Sequence, residues 1–93
     1  MKAIIDNKLY DSETAELIFC YREKHPSNFC IKGYPLVNWH DMKFYKTKKG
    51  AYFVFDTTAG TMSITTEAYV RKTMEKLNPE RYMKQFDVQI EEG

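Results

Sequence analysis

Residues Trp39 to Asp56 read WHDMKFYKTKKGAYFVFD. Before Lys48-Lys49-Gly50, Met42 and Phe44 alternate with Lys43 and Tyr45; after it, Ala51, Phe53 and Phe55 alternate with Tyr52 and Val54. A period of two, rich in aromatic residues and broken by a glycine, is the pattern of a β-hairpin closed by a short glycine-containing loop. The stretch therefore predicts a 42–56 hairpin at the centre of a small antiparallel sheet.

Working outward toward the C-terminal side, Thr57 to Gly60 reads as a second turn and Met62 to Ile64 as a third strand of a meander. Thr65 or Thr66 then caps a helix over 66–77, with Glu67 in its first turn and Val70, Met74 and Leu77 along one face. Asn78-Pro79 restarts the chain. Asparagine is a good cap and proline is tolerated at the first helical position, so Tyr82, Met83 and Phe86 predict a second short helix over 79–86. Val88 and Ile90 alternate with Gln89 and Glu91 as in a terminal strand.

Toward the N-terminal side, Lys24 to Asn38 contains His25-Pro26, Gly33 and Tyr34-Pro35, which all discourage helix, and it reads as a long loop. Lys2 to Asp6 predicts a short strand, and Asp6-Asn7-Lys8 a turn through which Leu9 and Tyr10 return along it. Asp11 or Ser12 predicts the cap of a short helix near 12–20, which hands over to a strand near Phe19 because Leu17 to Tyr21 is also an apolar run of strand length. The expected fold class is thus α+β: a small antiparallel β-sheet centred on the 42–56 hairpin, with short helices packed on one face and the other face, or the hairpin tip, left for partners.

Ninety-three residues with 43% hydrophobic content predict a single compact domain over 1–93, because two cores would each be too small to hold. Lys plus Arg is 14 and Asp plus Glu 13, for a formal charge of +1, which argues against a surface wholly given to nucleic acid and against an acidic DNA mimic. The start MKAIID is too short an apolar run for a signal peptide, and no stretch approaches the roughly 20 apolar residues of a membrane span. With only Cys20 and Cys30, and no CxxC pair, reduced thiols and a cytoplasmic location are expected.

Cys20, His25, Cys30 and His40 follow one another as C-x4-H-x4-C-x9-H, with none of the close pairs on which structural zinc sites are built. No phosphate-cradling glycine motif is present, and Asp41 and Asp56 read as residues of a solvated turn or sheet edge. No catalytic residue, cofactor or metal is therefore predicted, and the chain is not expected to be an enzyme. The clearest local charge signal is Lys43, Lys46, Lys48 and Lys49, interleaved with Phe44, Tyr45, Tyr52 and Phe53, as in surfaces that hold nucleic acid. Lysines on hairpins also keep sheet edges from pairing with neighbours, and rings at period two are usually core.

Three segments carry a resemblance: the opening K-x-I-I-D-N-K-L-Y-D-S-E-T-A-E, Tyr45-Lys46-Thr47-Lys48-Lys49-Gly50-Ala51-Tyr52-Phe53, and Glu80-Arg81-Tyr82-Met83-Lys84-Gln85-Phe86. The chain resembles small proteins of phages and mobile elements of Gram-positive bacteria, with a KxYDTETA-type start, a Y-[KR]-T-K-x-G-x-[FW]-F hairpin and a C-terminal helical segment. Ser12 stands where threonine is usual, and the glycine-rich segment that follows the hairpin in such proteins is reduced to Thr57-Thr58-Ala59-Gly60. Some proteins of this size and origin act as anti-CRISPRs. The resemblance implies a stoichiometric inhibitor that binds a type II CRISPR effector nuclease or its guide ribonucleoprotein and blocks nucleic-acid binding or cleavage. The expected contacts are Lys46, Lys48, Lys49 and Tyr52 at the hairpin with Tyr34 and Trp39 from the long loop, since exposed rings beside cations are typical interface anchors. The alternative is a small nucleic-acid-binding accessory protein that uses the same hairpin. Sequence leaves monomer and dimer equally open.

Overall fold

The computed structural model describes the backbone of residues 1–31 and 33–87 and the side chains of 1–25 and 37–87. Strands β1 (Lys2–Ile5) and β2 (Lys8–Asp11) form a two-stranded antiparallel hairpin. Strands β3 (Glu16–Ile31), β4 (Tyr34–Lys46), β5 (Tyr52–Asp56) and β6 (Thr61–Thr65) form a four-stranded antiparallel sheet in that spatial order, followed by helices α1 (Glu67–Leu77) and α2 (Pro79–Phe86). The protein is α+β, with its sheet built around the expected hairpin. The terminal strand expected at Val88 and Ile90 lies outside the described residues.

The turn chemistry explains the hairpins. Asp6 and Asn7 both have positive φ, 51° and 62°, as a two-residue turn matched to strand twist requires at both central positions. Between β4 and β5, the Gly50 N–H donates to the Thr47 carbonyl at 2.9 Å and the Thr47 N–H to the Ala51 carbonyl at 2.8 Å. Gly50 itself sits at φ 88°, so a tight turn over Lys48 and Lys49 is followed by a left-handed residue that glycine occupies without strain.

Register then sorts the side chains. Phe44 lies opposite Val54 and Tyr45 opposite Phe53, so adjacent residues of β4 serve opposite faces. On one face, Ile18, Phe44 and Tyr52 pack with Val70 and Met74 of α1 and Tyr82 of α2. A break in the β3–β4 register between Leu17 and Phe19 is a β-bulge that lets the consecutive residues Ile18 and Phe19 both join this core. The Arg81 guanidinium of α2 donates to the Ile18 carbonyl at 3.1 Å, tying the helix to the bulge. On the other face, Tyr45 and Phe53 pack against Tyr10 of β2, with Ile5, Ala15, Phe55 and Met62 around them.

Four expectations are corrected. No helix forms near 12–20: Asp11 caps a single turn through its side chain to the Glu13 N–H at 2.9 Å, and β3 begins at Glu16, because the β-branched and aromatic run Leu17 to Tyr21 gains more by packing on a sheet. Residues 24–38 are not a loop. On either side of a turn at Gly33 they complete β3 and begin β4, forming a two-stranded ribbon whose register shifts between Pro26 and Cys30. The second sheet face is not open but partly covered by the β1–β2 hairpin. Leu77, expected on the packed face of the first helix, is half-exposed and stands outside the core.

The covered second face gives a direct check. Tyr10→Ala should lower stability by about 3 kcal/mol, as for other large rings lost from a core, measured by urea denaturation. On an open sheet face the same change would cost no more than about 0.5 kcal/mol.

Candidate functional site

Beyond the end of β5, strands β3 and β4 continue paired only with each other. The alternation set by Phe44 and Tyr45 runs on into this ribbon and gives it two unlike faces. Lys43, Asp41, Trp39 and Val37 follow Tyr45 on the hairpin side, opposite Cys20, Arg22 and Lys24; His40 and Met42 follow Phe44 on the helix side, opposite Glu23 and Tyr21.

On the hairpin side the ribbon is exposed. Trp39 is 51% accessible and Val37 39%, and the Arg22 guanidinium lies 5.5 Å from the Trp39 ring centre. Arg22 is also 3.6 Å from Asp41, but both side chains are two-thirds exposed, so the pair contributes little to stability. An aromatic ring with a cation stacked on it and an aliphatic neighbour is the composition of an interface anchor.

The structure divides the predicted contact set. Trp39 lies on the ribbon. Lys48 and Lys49 are exposed on the β4–β5 turn, and the seven residue steps from Trp39 to Lys46 span about 23 Å of strand. Tyr52 is buried in the helix-side core, so its ring is not an exposed anchor; Lys46 is half-buried, with its ammonium 5.6 Å from that ring. Tyr34 begins β4, and its side chain lies outside the described residues. Lys48 and Lys49 instead line a groove with Lys8, Leu9, Thr14 and Thr47, between the β4–β5 turn and the β1–β2 hairpin.

The helix side of the ribbon carries a polar cluster that sequence reasoning did not assemble. His40 Nδ1 stands 2.6 Å from Asp56 Oδ2, and the His25 and His40 rings stack at 3.9 Å with 12° between their planes. Asp56 is buried, contrary to the solvated position expected for it, and its second carboxylate oxygen accepts the Ala59 N–H at 2.9 Å. Glu23 lies 3.8 Å from His25 Nε2. The C-x4-H-x4-C-x9-H spacing thus brings its two histidines together, while Cys20 falls on the opposite face and the Cys30 side chain is outside the described residues. The loop after β5 is tied to the same place: the Thr57 N–H donates to the Asp41 carbonyl at 2.9 Å and the Asp41 N–H to Thr58 Oγ1 at 2.9 Å.

Burial alone would raise the Asp56 pKa. The hydrogen bonds from His40 and the Ala59 N–H, with the charge of the nearby imidazoles, outweigh it and hold the carboxyl below its ordinary value. The Tyr21 phenol, by contrast, is pushed up by burial and then by the charges of Glu23 and Asp56 and its neighbour Tyr69, so it stays a neutral hydroxyl.

Compared with protein-family models, curated proteins and solved structures, the chain matches none. Among the described residues no helix is long and apolar enough to cross a membrane.

Because folding favours ionised Asp56, its contribution to stability is complete above the ordinary carboxylate value of about 3.9 and is lost as pH falls through the lower folded value. Urea denaturation between pH 7 and pH 2 should therefore show a shallower acid decline in Asp56→Asn than in the parent. The variant should also be less stable at pH 7. Parallel acid limbs would show that Asp56 is not held in its charged form.

Proposed function

We propose that the protein is a stoichiometric binding inhibitor that docks through the hairpin-side face of the β3–β4 ribbon. The observation that carries this reading is the exposed Trp39 ring with Arg22 stacked over it and Val37 alongside, on a strand pair that reaches past the folded core. A ribbon of this kind offers a partner a two-stranded surface with an aromatic anchor. The resemblance to phage and mobile-element proteins directs the proposal to a type II CRISPR effector nuclease, alone or loaded with its guide, whose nucleic-acid site the ribbon would occlude. With a net charge of +1, such an inhibitor works by shape and local patches, not by bulk charge.

A second reading rests on a different observation. Lys8, Lys48 and Lys49 line one groove beside exposed Leu9, an arrangement that suits a nucleic-acid backbone. The two readings differ in where and how they bind.

Titration of the protein into guide-free and guide-loaded type II nuclease, with target cleavage as readout, tests the first. Cleavage should be lost at near-equimolar protein, and Trp39→Ala should weaken inhibition by at least about 30-fold, the effect of losing an interface hot spot, while shifting stability by no more than about 0.5 kcal/mol. A Lys48→Glu, Lys49→Glu double variant should inhibit as well as the parent. Full cleavage, together with a mobility shift of bare guide or target that weakens steeply with salt and vanishes in the double-lysine variant, would establish the second reading instead.

A further inference from the structure

We propose that His25, His40 and Asp56 form a binding site for a divalent transition-metal ion of the zinc class, with Glu23 as the adjacent fourth donor. The site is on the opposite face of the ribbon from Trp39 and does not depend on the partner reading. The three residues come from β3, β4 and β5 on one sheet face, and each offers a ligand atom within 4.8 Å of the others. A tetrahedral ion with ligands at about 2.0–2.1 Å holds its donors about 3.3 Å apart, so binding draws the three donors together and reorients a ring. Two imidazoles with a carboxylate suit zinc, nickel, copper or iron, not magnesium or calcium, which prefer an all-oxygen shell.

The state of His25 is the second observation. Its Nε2 is buried and has no hydrogen-bond partner among the described groups, although Glu23 is 3.8 Å away. A buried ring nitrogen without a partner is unfavourable, and this one stands beside a second imidazole and two carboxylates. His40 and Asp56 alone would be a structural pair; His25 turns the pair into a donor set. The stacked rings point their in-plane lone pairs along parallel planes, so one ring must turn for both to reach one ion. His25 breaks no hydrogen bond at Nε2 in turning about its Cβ–Cγ bond, while His40 is held by Asp56 at 2.6 Å. The ion takes the place of the proton between His40 Nδ1 and Asp56 Oδ2; from a neutral imidazole that proton passes to Nε2, and from an imidazolium it is released to solvent. The His25 and Glu23 side chains are 35% and 39% exposed, against 19% and 10% for His40 and Asp56, so the site opens to solvent on the His25 side.

The chain has only two histidines, which makes the test direct. The full-length protein is stripped with chelator and titrated with Zn²⁺ by calorimetry and with Co²⁺ by visible absorption. One ion should bind per chain, and Co²⁺ should show d–d bands without a thiolate charge-transfer band, since Cys20 faces away. Loss of an outer-shell partner alone costs a metal site about 10- to 100-fold in affinity, so His25→Ala and His40→Ala should each cost at least that much. Cys20→Ser should bind as the parent does, and excess Mg²⁺ should not compete. Melting in chelator checks folding; if His40→Ala does not fold, His25→Ala decides. Absence of saturable one-to-one binding, unchanged affinity in His25→Ala, or loss of binding in Cys20→Ser would overturn the proposal.

Discussion

The register of β4 between β3 and β5 is the constraint on which the rest of the structure depends. Phe44 and Tyr45 are adjacent in the chain and serve two different cores, each by packing on a ring of a neighbouring strand: Tyr21 tilted against Phe44 at 4.9 Å and Tyr45 stacked on Phe53 at 5.1 Å. A slip of one residue would send Phe44 under the N-terminal hairpin and Tyr45 under the helices, and would invert every side chain of the ribbon with them. The turn at Gly50 and the four-residue turn after Asp56 hold this register from both ends of β5. In a domain of 93 residues, with limited surface to bury, two small ring-rich cores sharing one sheet are mutually dependent.

The same alternation, carried past the end of β5, separates the two candidate functional surfaces. Odd-numbered positions from Tyr45 down to Val37 face the hairpin side and place Trp39 in solvent; even-numbered positions place His40 beside Asp56. Asp56 is the last residue of β5, and its bonds to His40 and Ala59 clamp the base of the ribbon to the sheet. A partner bound to the Trp39 face would therefore press on a ribbon whose root is fixed by buried polar contacts, not by apolar packing alone. An ion held between His25, His40 and Asp56 would stiffen that root further by joining three strands through one centre.

Much of this was legible in the residues. Period two around Lys48-Lys49-Gly50 reported the central hairpin, Asp6-Asn7-Lys8 reported a turn, and Asn78, with Thr66 as one of two candidates beside Thr65, reported helix caps that the structure shows through their bonds to the Arg81 and Tyr69 N–H groups. Signals that depend on distant partners were not legible. Pro26 and Pro35 read locally as loop residues, yet each lies in a ribbon of only two strands, which tolerates proline because every strand there is an edge strand. The cap at Asp11 is a sound helix signal that fails because β3 offers the following apolar run a better surface. The burial of Asp56 could not be read at all, since it follows from the register that brings His40 beside it. Of the predicted contacts, Trp39 is exposed as required, whereas Tyr52 carries the same periodicity as a surface ring and is core because the helices return over that face.

Whether the ribbon exists with this register can be measured without any partner or ligand. Nuclear Overhauser contacts in the free protein should link the imidazole protons of His25 and His40, and should link Arg22 with Asp41 and Lys24 with Trp39 across the strands. Random-coil shifts through Lys24 and Trp39, or contacts that pair His25 with Trp39 directly, would contradict both the ribbon and the separation of its two faces.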